Sequence, residues 1–298
     1  METTLNVEMI PQTTRKPQTR VRFFPREHGA TAMLFTPMVC AAILARSWHW
    51  SELAVLVAAF AALSAKDPMV VLARQRYVWK QQHDETADAT RWFIGWMVLL
   101  AVSGLILLAT WPIRATLALG LGVGIFSALA IAVNVKNKQR STLFQIASAL
   151  ALTSSSLAVS LSATGTIATW GWSLWLLMAA QATTGILVVH ARLDAKVAAR
   201  IAAKLVAQNP SQQPARADEK FRRAAIIAVA ALIVIAITAA QTRHGWIATA
   251  LLLAAGGYAY DLRGQRNTAS LDMPLTTVGQ RALALSCLFA ALLIVGLW

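Results

Sequence analysis

The chain has 298 residues, of which 57% are hydrophobic and only 13% are charged, and its formal net charge is +14. A soluble protein of this size could not cover so much apolar surface with polar side chains, so the composition excludes an ordinary soluble domain. The positive charge suggests either a nucleic-acid-binding protein or a membrane protein, and the positions of the cations decide between them.

The first 28 residues form a basic segment that precedes any apolar run. Its cations are Arg15, Lys16, Arg20, Arg22 and Arg26. A cleavable signal peptide would need an apolar core behind its positive charges, and none occurs before Ala30. We predict that residues 1–28 are a cytoplasmic N-terminal segment and that the first apolar helix directs insertion.

Nine apolar stretches follow this segment. A transmembrane helix needs about 20 apolar residues, because the hydrocarbon layer is about 30 Å thick and each residue rises about 1.5 Å. The predicted spans 1 to 9 cover residues 29–45, 53–73, 92–111, 115–133, 143–161, 170–189, 224–240, 246–260 and 281–298. Spans 1 and 8 are short. The sequence therefore predicts an all-α, multi-pass membrane protein with about nine helices and a single transmembrane domain at residues 29–298.

The distribution of lysine and arginine predicts the orientation of these spans. If the N-terminus is inside, 24 of the 27 cations fall on the inner side and only Arg46, Arg114 and Arg243 fall outside. Cytoplasmic loops retain positive charge, so we predict a cytoplasmic N-terminus and an external C-terminus in a bacterial-type inner membrane. This asymmetry also accounts for the basic composition without nucleic acid.

Span 2 runs into the first of two long cytoplasmic segments, residues 66–91. Lys66 and Asp67 interrupt an apolar run, Pro68 follows them, and Arg74 lies beyond. Pro68 should kink the helix, and charges at membrane depth are functional candidates by default. The alternative is a simple salt bridge near the interface, because charged side chains close to span ends can extend to water.

The second long cytoplasmic segment, residues 190–223, follows span 6. It begins with His190, Arg192, Asp194 and Lys196. Arg192, Lys196, Arg200 and Lys204 recur every four residues, which predicts one basic stripe on a helix. Such a stripe suits a phosphate or diphosphate headgroup. The alternative is an anchor that holds the helix against anionic lipid.

Three further polar patches lie at the same predicted side, before span 1, before span 5 and at the end of span 8, where the patch runs from Tyr258 to Arg263. We predict that all five patches line one cytoplasm-facing cavity for an anionic amphiphile. Its residues are Glu27, His28, Lys66, Asp67, Arg74, Lys138, Arg140, His190, Arg192, Asp194 and Lys196. No nucleophile with a general base, no run of metal ligands and no phosphate-binding glycine loop is evident, so the catalytic residues are unknown.

The segment from Pro25 to Pro37, PREHGATAMLFTP, resembles the PREHGAW signature of the YwiC-like membrane proteins. The layout is more distantly similar to the UbiA superfamily of intramembrane prenyltransferases, which have nine helices and active-site loops after helices 2 and 6. Lys138-Gln-Arg140-Ser-Thr142 is comparable to a Lys-Arg-x-Thr element of that superfamily. The resemblance implies a UbiA-like helical bundle that binds an isoprenoid-like ligand.

One departure from the UbiA pattern concerns the metal. Those enzymes hold magnesium through NDxxDxxxD and DxxxD motifs, and at the corresponding places this chain keeps only Asp67 and Asp194. Two isolated carboxylates beside several cations hold magnesium poorly, so we predict no metal cofactor. A site made of cations alone can still bind a diphosphate.

Two hypotheses for the function follow. The first is a divergent prenyltransferase, or a degenerate enzyme of that fold, which binds a prenyl phosphate or quinone-type lipid. The second is a transporter or accessory membrane component that uses the same cavity without bond chemistry. A general base in the cavity would discriminate between them, and the candidates are Glu27, His28 and His190.

Overall fold

The computed structural model describes residues 28–46, 48–81, 83–136, 141–208 and 219–298, and within these ranges it contains helices and no strand. The helices are α1 (His28–Ala45), α2 (Trp50–Arg74), α3 (Thr86–Thr110), α4 (Ile113–Val135), α5 (Thr142–Thr153), α6 (Ser155–Thr164), α7 (Thr169–Gln208), α8 (Lys220–Gln241), α9 (Gly245–Gly264), α10 (Thr268–Leu271) and α11 (Leu275–Leu297). A π-helical turn, Gln75–Trp79, continues α2.

Seven helical segments in the described part of the chain are long and apolar enough to cross a membrane. They are Trp50–Trp79, Thr86–Thr110, Ile113–Val135, Thr142–Thr164, Thr169–Leu205, Lys220–Gln241 and Thr276–Leu297. This confirms the predicted multi-pass, all-helical character. Each predicted span coincides with one helix, except span 5, which covers α5 and α6. Helices α1 and α9, which correspond to spans 1 and 8, are not among the seven, so the count of nine stays a prediction.

One face of helix α9 is buried against protein, while Trp246, Leu252 and Tyr260 on it are exposed. It packs against α7, α8 and α11, and Ala250, Leu251 and Ala254 on it are completely buried. A helix that faces other helices can carry small and polar residues, because close packing replaces contact with lipid. Its 20 residues extend over about 30 Å, which is sufficient to cross the hydrocarbon layer.

Contacts between helix ends define two opposite faces of the bundle. On one face, which we call the cation face, Arg74 at the end of α2 donates a hydrogen bond of 2.7 Å to Asn134 O near the end of α4. On the opposite face, Arg46 after α1 donates a hydrogen bond of 3.1 Å to Trp298 O. The ends of α1 and α11 therefore meet, and these two helices run in the same direction.

Since α1 begins at the cation face and α11 ends at the opposite face, we expect the two chain termini to lie on different sides of the membrane. A tag at the N-terminus should be inaccessible to an impermeant reagent in intact cells, whereas a C-terminal tag should react. A tag in the turn between α8 and α9, Thr242 to His244, should behave like the C-terminal one. Equal labelling of both termini would contradict this orientation.

Candidate functional site

The first predicted cluster forms an ion pair on α2. The distance between Lys66 Nζ and Asp67 Oδ1 is 4.0 Å, and the two side chains are 19% and 35% exposed. The α-helix continues through the buried Pro68 as far as Arg74. The side chains of this cluster therefore remain on a helix, and the salt bridge that was the alternative interpretation is present.

Arg74 and the π-helical turn hold the ends of three helices together. The Arg74 guanidinium binds a carbonyl near the end of α4, where the last carbonyls of a helix lack intrahelical donors. In the next position, the buried side chain of Gln75 accepts a hydrogen bond of 2.7 Å from Thr86 Oγ1, in the first turn of α3. Periodicity in the sequence did not predict the π-helical turn, which is a rare and often functional irregularity.

The second predicted cluster lies on α7. This helix has 40 residues and is about 60 Å long, twice the thickness of the hydrocarbon layer, so its C-terminal half extends beyond the cation face. Arg192, Lys196, Arg200 and Lys204 all lie on this one helix, as their spacing predicted. Their exposure differs: Arg192 is buried, Lys196 is half-buried, and Arg200 and Lys204 are exposed.

Arg192 connects α7 to the segment that follows α9. Its side chain is only 7% exposed, and Nη2 donates a short hydrogen bond to the carbonyl of Ser270. The carboxylate of Asp261 on α9 lies within the electrostatic influence of both Arg192 and Arg281. A second link is close by, since Gln265 Nε2 donates a hydrogen bond of 3.1 Å to Val188 O. Arg192 therefore stabilises the packing of α7 against α9 and α10.

His190 lies two residues before Arg192 on α7 and joins three helices. Its Nε2 is 2.9 Å from Gln145 Oε1 on α5, and its ring stacks on Phe221 of α8 with 5.1 Å between centroids. Asp194 is half-buried and follows one turn later. Phe221 and Asp261 were not in the predicted set, because the sequence does not reveal which residues of other helices α7 contacts.

The two predicted clusters lie on different helices of the same face. Helices α1 and α6 each pack against both α2 and α7. The two helices that carry the clusters therefore share these two neighbours. Glu27, Lys138 and Arg140 lie outside the described residues, and of His28 only the backbone is described. The proposal that all eleven residues line one cavity therefore stays a prediction.

A cavity that was not predicted opens between the start of α8 and the end of α9. Its volume is about 400 Å³, and it is lined by Arg222, Ile226, Leu262, Arg263 and Arg266. We call it the arginine cavity. Arg222 forms an ion pair with Glu219 at a distance of 3.9 Å. The three arginines therefore carry more positive charge than this one carboxylate neutralises. The sequence showed Arg222 and Arg266 only as inner-side charges and Arg263 as part of the patch at the end of span 8, since their convergence depends on how α8 packs against α9.

The arginine cavity has the chemistry of an anion site with an apolar base. Guanidinium groups bind phosphate and carboxylate oxygens through paired hydrogen bonds, while Ile226 and Leu262 provide surface for hydrocarbon. Within the described ranges, no group of three histidine, cysteine, aspartate or glutamate side chains could hold a metal ion. The cations themselves are thus the groups in this cavity that can neutralise an anionic ligand.

Helices of this length and apolarity, with cations gathered at one end, define a multi-pass α-helical membrane-type protein. Residues 24–160, a little under half of the chain, match the family model described as YwiC-like protein. This match supports the resemblance seen at Pro25 to Pro37. No curated protein and no solved structure matches the chain.

Proposed function

We propose that the protein binds an anionic, isoprenoid-like amphiphile, such as a prenyl phosphate or a quinone-type lipid, at the cytoplasmic side of the membrane. The observation that supports this function is the arginine cavity, which three arginines and two apolar residues line together. Like charges gathered in one cavity repel each other unless an anion neutralises them. An anionic headgroup satisfies this requirement, and no purely apolar ligand does.

The surroundings of the cavity suit the tail of such a ligand. Helix α8 continues from Arg222 into a strongly apolar stretch whose side chains Ile227 and Val234 are exposed. In a membrane this surface faces hydrocarbon chains rather than water. A lipid could therefore place its headgroup among the arginines and its chain along α8.

The first experiment is to identify the lipids that copurify with the protein. Mass spectrometry of the complex, released gently from detergent, should detect an anionic lipid bound in a fixed ratio. The protein should also take up prenyl monophosphate from mixed micelles in preference to the neutral prenyl alcohol of the same length. Equal uptake of the alcohol and the phosphate would count against this function.

The enzymatic form of this proposal is a divergent prenyltransferase with a UbiA-like bundle of nine helices. The alternative is a transporter or accessory component that binds the same lipid without changing it. The two forms differ in one measurable product: a transferase given a prenyl diphosphate and an acceptor releases inorganic diphosphate. Binding without diphosphate release would favour the transporter or accessory component.

We expect ligand binding to be independent of magnesium. Two separate carboxylates, Asp67 and Asp194, cannot complete the octahedral shell that magnesium requires, and cations lie close to both in the sequence. Binding of prenyl phosphate, measured by a thermal shift, should be nearly equal in excess magnesium and in a chelator. A large loss of binding on chelation would show that these carboxylates hold a metal after all.

A further inference from the structure

The first turn of α2 buries a carboxyl group at the face opposite the arginine cavity. Glu52 is only 3% exposed, and neither of its carboxyl oxygens has a hydrogen-bond partner among the described residues. The preceding residue is also buried: Ser51 Oγ accepts a hydrogen bond of 2.5 Å from Ser162 Oγ on α6. This contact places the start of α2 against other helices. The Glu52 side chain therefore lies inside the protein.

A second buried polar group without a partner lies at the same end of the bundle. Trp111 directly follows α3, is 7% exposed, and its Nε1 hydrogen has no acceptor among the described residues. Helices α2 and α3 are antiparallel neighbours, so the end of α3 lies at the same face as the start of α2. This end of the helix pair thus contains both a buried acceptor and a buried donor that the described residues leave unsatisfied.

The positive groups at this face do not form an ion pair with Glu52. Arg46 donates to Trp298 O, and its guanidinium lies 4.2 Å from the centre of the Trp298 ring. His49 precedes α2 and is exposed to solvent, and both its backbone amide and its ring favour the charged form of Glu52; Arg114 at the start of α4 is exposed as well. The buried part of α6 contributes hydroxyl groups and no charge. An ionised carboxylate in such surroundings would lose its hydration, and desolvation outweighs the compensation that His49 offers.

We propose that Glu52 is a proton-binding site, whose carboxyl group holds a proton at neutral pH on the face opposite the arginine cavity. The neutral acid avoids the cost of a buried charge and supplies a hydroxyl donor as well as an acceptor. Loss of the proton would require water or a cation to enter between α2 and its neighbours. Proton binding at Glu52 is therefore coupled to the packing of these helix ends, and it does not depend on the proposed lipid function.

Infrared difference spectroscopy of the full-length protein tests this site. The spectrum of the wild type minus that of Glu52→Gln, at neutral pH, should contain the carbonyl stretch of a protonated carboxylic acid, shifted in heavy water. The matched control is Glu85→Gln, which changes an exposed glutamate just before α3 and should remove only carboxylate bands. Carboxylate bands in the Glu52 difference spectrum would overturn the proposal.

Chemical labelling of the wild type gives an independent answer if the Glu52→Gln protein does not fold. Dicyclohexylcarbodiimide reacts with protonated carboxyl groups in apolar surroundings, so mass spectrometry should detect the adduct on the peptide that contains Glu52 and not on the peptide that contains Glu85. Sodium should not protect Glu52. Protection by sodium, together with carboxylate bands in the infrared spectrum, would show a bound cation instead and overturn the assignment of a proton.

Discussion

Replacement of Arg222, Arg263 and Arg266 together by glutamine is expected to abolish the binding of anionic lipid. A hydrogen bond to a charged group contributes about 1.5–3 kcal/mol, so the loss of three such contacts should weaken binding roughly a thousandfold or more. Glutamine keeps a polar side chain at each position, which limits the effect on folding. Binding of prenyl phosphate in mixed micelles, followed by native mass spectrometry, measures the change.

The matched control for the triple variant is the replacement of Lys196, Arg200 and Lys204 by glutamine. It removes the same number of charges from the same face, but these residues lie on α7, beyond the arginine cavity. We expect at most a severalfold loss of binding, because these cations act through the general field of the surface, which salt screens. If both variants lose binding equally, the arginine cavity is not a specific site and the cations serve as an anchor.

Replacement of Arg192 by alanine is expected to destabilise the protein by about 1–3 kcal/mol, the cost of leaving a buried polar group without its hydrogen-bond partner. Asp261 would lose a neighbouring positive charge, and the carbonyl of Ser270 would lose its donor. Thermal unfolding in detergent, followed by circular dichroism, measures the effect. The expected result is a clearly lower midpoint temperature.

Arg200→Ala is the control for this variant, because Arg200 lies two turns further along the same helix and is exposed. A surface substitution of this kind should change the free energy of unfolding by less than about 0.5 kcal/mol. Adding Asp261→Asn to Arg192→Ala should restore part of the lost stability, since it removes a carboxylate that has lost one of its two neighbouring cations. If Arg192→Ala instead leaves stability unchanged and abolishes lipid binding, Arg192 is a ligand-binding residue rather than a structural one.

The residues of the basic stripe illustrate how far spacing along the sequence can predict a site. A four-residue repeat correctly indicated that Arg192, Lys196, Arg200 and Lys204 lie on one helix. It did not indicate that Arg192 is buried, because this depends on Ser270 and Asp261, which lie about 70 to 80 positions away in the chain. The arginine cavity has the same origin, since α8 and α9 each contribute only part of its lining.

The sequence by itself determined the class of the protein and the positions of its helices. A membrane span is recognised from about 20 consecutive apolar residues, and its orientation is recognised from the lysines and arginines beside it. Both are local properties of the sequence, because each depends on whether a segment contacts lipid or water. Only the tertiary structure decided which cations are buried, which converge on a cavity and that the carboxyl group of Glu52 is buried. The physical reason is that desolvation and hydrogen bonding depend on atoms that packing brings close from distant parts of the chain.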